Sequence, residues 1–124
     1  PSTSSAASDV YKRQEMMFSV IAETLKPGGV LGIVQHRGEA DLSLEQMKNT
    51  AYVSEGKVIE LAQLAGLELD ARSEINANPK DTKDHPRGVW TLPPTLAAGE
   101  TDRERYVAIG ESDRMTLRFI KPAE

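Results

Sequence analysis

Phe18, Ile21, Ala22 and Leu25 recur at i, i+3, i+4 and i+7, the spacing that gathers side chains on one helix face, and Lys26-Pro27-Gly28-Gly29 then breaks the pattern. Pro1 to Gln14 is small and polar with no such period, so an irregular lead is expected before a helix that begins near Glu15. Val30 to Gln35 (VLGIVQ) is an almost unbroken apolar run bounded by glycines, which predicts a central parallel strand covered on both faces. Ser43-Leu44-Glu45-Gln46 has the spacing of a capping box and predicts a short helix through about Asn49. Val58, Leu61, Ala62 and Ala65 repeat the helical period, and Gly66 stands where a left-handed terminus prefers glycine. Leu67, Leu69, Ala71, Ser73 and Ile75 alternate with polar residues and predict an outer strand with one wetter face. Met115, Leu117 and Phe119 share one face of a last strand that Pro122 stops. Between these strands, residues 76–112 are crowded with Pro, Asn, Asp and charge, and have room for one helix from Asp102 to Ile109.

Composition narrows the class. A chain of 124 residues fits one small α/β domain, short for an enzyme that holds both a nucleotide-like cofactor and a substrate. A hydrophobic share of 39% and a charged share of 27% are those of a soluble globular body, and no run approaches the roughly 18 apolar residues of a membrane span. The net charge of −4, with both signs interspersed, argues against a nucleic-acid partner. With no cysteine there are no disulfides, thiolate zinc sites or cysteine nucleophiles, and the compartment stays open. The first fourteen residues also lack the apolar centre of a secretory signal.

The segments LKPGGVLGIV and LAQLAGLEL, in the order helix, turn, strand, helix and strand, resemble the second half of class I S-adenosylmethionine-dependent methyltransferases. SEINANPKDTKDHPRGVWTLPP and YVAIGESDRMTLRFIKP are similar to a bacterial group of predicted methyltransferases within that superfamily. The resemblance covers Glu15 to Pro122. It implies a partial Rossmann-like α/β sheet, strands five to seven of the family with their helices, three-layered in the full protein. Residues 1–14 are then a lead and residues 15–124 the carboxy-terminal half of the domain, with a long insertion at about 76–112. Within the lead, SDVYKRQ resembles a translated adapter remnant of metagenomic reading frames; the other reading is an ordinary flexible terminus.

The function implied is transfer of a methyl group from S-adenosylmethionine to a small-molecule acceptor. The family's glycine-rich loop and strand-end acidic residue are absent, so no cofactor-binding residue is assigned here. The missing amino-terminal half of the same domain is the expected partner, and the 124 residues alone are expected to be inactive. The competing reading is a non-catalytic α/β binding or interaction module; the exposed edge that fewer strands would leave on the first strand invites pairing or aggregation and suits a fragment better.

Candidate chemistry follows from position. Ligands of open α/β sheets collect beyond the carboxyl ends of the strands, which brings forward Gln35, His36 and Arg37. His36 is the candidate catalytic base or orienting group, and Arg37 a candidate for substrate; the bland reading of His36 is a loop imidazole. Asn76, Asn78, Lys80, Asp81, Lys83, Asp84, His85 and Trp90 combine amide, cationic, acidic, imidazole and aromatic groups suited to a polar substrate. The alternative for them is a solvated loop with turn chemistry and surface ion pairs. Glu111, Asp113 and Arg114 read as a charged turn opening the last strand, with a role at the site left open by the resemblance. His36 and His85 have no metal-ligand spacing, and no metal is expected.

Overall fold

A computed structural model describes residues 3–123, with side chains from residue 12 onward. The elements are α1 (Thr3–Thr24), β1 (Val30–His36), α2 (Leu44–Thr50), α3 (Glu55–Leu64), β2 (Glu68–Ser73), a 3-10 turn (Gly88–Thr91), α4 (Arg103–Ile109) and β3 (Arg114–Ile120). They form a small α/β fold of four helices and a three-stranded antiparallel sheet.

α1 differs from expectation at its start. The backbone is already helical at Thr3, twelve residues before Glu15. Residues 3–14 contain neither Gly nor Pro, so a helix nucleated by the apolar face at Phe18 and Ala22 can propagate backward at little cost. At the other end, Lys121 Nζ donates to the carbonyls of Ala22 and Leu25 at 2.7 and 2.8 Å, placing a cation on the negative end of the helix. Gly28, at φ +84°, makes the turn into β1.

The capping box at α2 forms in both directions, with Gln46 N donating to Ser43 Oγ and Ser43 N to Gln46 Oε1. α3 ends just before Gly66, whose φ of +94° is the left-handed conformation its position predicts. β2 stops at Ser73 rather than Ile75, and a register shift between Leu69 and Ala71 interrupts its alternation.

The sheet order is β1-β3-β2, and β3 runs antiparallel to both neighbours, which makes β1 and β2 parallel to each other. This corrects the expectation for β1. Its only described partner is antiparallel, it lies at an edge, and Val30 and Val34 are 54% and 53% exposed. An apolar run carries no mark of which strand will pair beside it, and every second residue of VLGIVQ lies on an open face. The centre belongs to β3. Its Met115, Leu117 and Phe119 are buried against Phe18 and Ala22 of α1 and Val58, Leu61 and Ala62 of α3. Among the described residues no helix is long and apolar enough to cross a membrane.

Candidate functional site

The carboxyl end of β1 delivers Arg37 into a nest of acids. Its Nε and one terminal nitrogen grip Asp113 at 2.9 and 3.1 Å, and the remaining donors reach Glu55 and Glu74 at 2.8 to 3.1 Å. All five guanidinium hydrogens thus have acceptors, and the carboxylates raise the pKa of Arg37 further above its ordinary value. The residue singled out for substrate is fully engaged in joining β1 to β3, α3 and the end of β2.

Asp81 is a second hub. Its side chain is buried and accepts from Tyr52 Oη at 2.7 Å, from the backbone amides of Lys83 and Asp113 at 2.9 Å, and lies 2.9 Å from His85 Nε2. Burial, followed by Asp81 itself, holds the Tyr52 hydroxyl well above its ordinary pKa, so it stays a donor. His85 in turn meets Tyr106 of α4 edge-to-face, with centroids 5.7 Å apart. Asn78 donates from its side chain to the carbonyls of Ile109 and Glu111 and from its backbone to Asp113, while Asn76 donates to Thr116 Oγ1. Lys83 Nζ adds a 3.0 Å ion pair to Asp113. Asn76, Asn78, Asp81, Lys83 and His85 therefore staple the long segment onto the start of β3. Lys80 and Asp84 are exposed, Asp84 accepting from Thr82 Oγ1 at 2.6 Å.

What the fold brings together in an open space is His36 and Trp90. They line a cavity of about 180 Å³ with Pro93, Pro94, Ser112 and Arg114 among its walls. His36 Nδ1 lies 2.6 Å from Ser112 Oγ, so ring and hydroxyl share a hydrogen. Burial lowers the His36 pKa, Arg114 lowers it further, and Asp81 opposes them; the imidazole is neutral at neutral pH. Ser112 is buried and its neighbour Asp113 is pinned through its amide to Asp81. The loop network thus fixes the group that orients His36.

Tyr52, Ser112, Glu55 and Glu74 were not legible as parts of this region. Nothing near them in sequence marks them, because their partners are tens of residues away. The signal for Arg114 is register: it is the Cα partner of His36 across the sheet, a fact available only once the strands are paired.

A cofactor of the S-adenosylmethionine kind needs backbone amides freed by spaced glycines and a strand-end carboxylate for its ribose hydroxyls. The amides of Gly28 and Gly29 are bonded to the carbonyls of Lys121 and Lys26, and Asp113 and Glu74 are taken by Arg37. The described residues do not fit such a group. Comparison with protein-family models, with curated proteins and with solved structures finds no match to this chain.

Proposed function

We propose that the chain forms the acceptor side of a class I S-adenosylmethionine-dependent methyltransferase, its donor held by residues outside those described. The observation that carries this reading is topological. β1 and β2 run parallel and are linked through helices, β3 returns reversed between them, and the cavity with His36 lies at the carboxyl end of β1. Parallel strands joined by helices are the unit of open α/β sheets, which keep ligands at that end. The resemblance of LKPGGVLGIV and of the closing segment to the family supports the same reading.

In this reading the chain's own residues position and deprotonate the acceptor. The neutral His36 imidazole is able to take a proton, and Ser112 sets its ring orientation. Trp90, Pro93 and Pro94 restrict water around the acceptor. The test is made in a protein that carries the cofactor-holding half as well. There, His36→Gln lowers turnover about a hundredfold with the fold intact; unchanged turnover would remove His36 from the chemistry.

A further inference from the structure

His36 and Arg114 are Cα partners across β1 and β3, so their side chains leave the same face of the sheet side by side. Trp90, Pro93 and Pro94 stand over that face and close the cavity of about 180 Å³. Arg114 lines the cavity with a guanidinium that is only loosely held, its Nε being buried and without an acceptor. The ion pair of Arg114 with Glu111 runs instead from a terminal nitrogen, is 3.4 Å long, and engages an acid that is 63% exposed. A guanidinium held by one long ion pair has terminal donors left for a closer carboxylate. His36 adds no charge of its own, because burial and Arg114 both favour its neutral form. Arg114 is therefore the fixed positive charge of the cavity. The indole, 44% exposed, and the two proline rings supply flat apolar walls.

We propose that this cavity binds a small planar organic anion, a single six-membered ring bearing a carboxylate. The carboxylate accepts from the terminal nitrogens of Arg114 in place of Glu111, and the ring lies against Trp90 and the two prolines. A cavity of this size takes one such ring. Glu111, largely in water, swings aside at little cost. The inference rests on the proposed function only in calling this ligand the acceptor, since binding requires no methyl donor.

The experiment is titration of benzoate into the full chain, followed by the fluorescence of Trp90, its single tryptophan. Benzoate is expected to give a saturable change and benzamide, the same ring without the charge, to give none. Arg114→Met weakens binding about tenfold or more, with near-ultraviolet circular dichroism confirming that the variant is folded. Arg114→Lys keeps the charge and a folded strand but loses the planar fork that matches a carboxylate, and is expected to bind more weakly than the parent. Equal effects of benzoate and benzamide, no saturable change, or parental affinity in a folded Arg114 variant would each overturn the proposal. Benzoate binding in a protein that never binds S-adenosylhomocysteine would leave the anion site standing and remove only its role as acceptor site; the reverse result would remove the anion site alone.

Discussion

Arg37 and Asp113 tie the end of the first strand to the start of the last through two bonds, Nε to Oδ2 at 2.9 Å and a terminal nitrogen to Oδ1 at 3.1 Å. The carboxylate is almost fully buried and also takes Lys83 Nζ and the Asn78 amide. Removing it takes the ion-pair partner from Lys83 and leaves Arg37 with Glu55 and Glu74 alone. Asp113→Ala is expected to cost about 3 kcal/mol in urea unfolding. Arg37→Lys, which cannot reach three acids with one ammonium, should fall between the two proteins.

Acid should weaken the fold in two stages. Burial works to raise the Asp113 pKa, but Arg37, the Asn78 amide and Lys83 outweigh it and hold the carboxyl down at about 2, below its ordinary 3.8. A depressed acid adds stability that is complete above 3.8 and is lost as pH falls toward 2. His36 titrates below its ordinary 6.5, so its neutral form favours the fold above that value, and the contribution fades as pH falls through the lowered pKa. Melting temperatures from about pH 8 to about pH 2 should show both steps. His36→Gln is expected to remove the upper step, and Asp113→Asn the lower one. A single step unchanged by either substitution would contradict the assignment.

Much of the local structure is legible in the sequence, and the pairing is not. The core face of α1, the Ser43 to Gln46 cap, the Gly66 terminus and the buried face Met115, Leu117 and Phe119 follow from periods that neighbouring residues set. The order β1-β3-β2 depends on contacts between residues 78 to 90 positions apart for β1 and 43 to 52 for β2. The apolar run Val30 to Gln35 therefore looks the same at a centre or an edge. At the site, His36 is placed by its position after a strand. The polar residues from Asn76 to His85 are indistinguishable in sequence from ligand-facing groups, and the fold turns most of them inward as staples.

The Tyr52 hydroxyl supports the Asp81 hub from a distance of 29 positions in the chain. Tyr52→Phe leaves the ring in place and deletes one bond to a buried carboxylate, a loss of about 2 kcal/mol. Hydrogen exchange should localise it: the amides of Lys83 and Asp113, both bonded to Asp81, lose protection while those of α3 lose less. Uniform loss across the protein would show that Tyr52 supports the core and not the loop.

Gly88 opens the 3-10 turn at φ +59°, and a Cβ there would strike the carbonyl oxygen and Cα of Thr50. Both the left-handed backbone and the close approach to the end of α2 require glycine. Gly88→Ala is expected to lower stability by about 2 kcal/mol or more and to blunt the response of Trp90 fluorescence to ligand. A thermal melt equal to the parent's would show that the loop relaxes away from Thr50 freely.

The central claim, that this fold is the acceptor side of a methyltransferase, is met most directly by titration calorimetry of S-adenosylhomocysteine. It is run on this chain and on the chain joined to the cofactor half of a class I methyltransferase. Heat of binding is expected from the joined protein and none from the 124 residues, whose Gly28 and Gly29 amides and strand-end acids are already engaged. Absence of binding to both proteins would contradict the methyltransferase reading and leave a non-catalytic α/β module. Tight binding to the short chain would contradict the placement of the donor outside it.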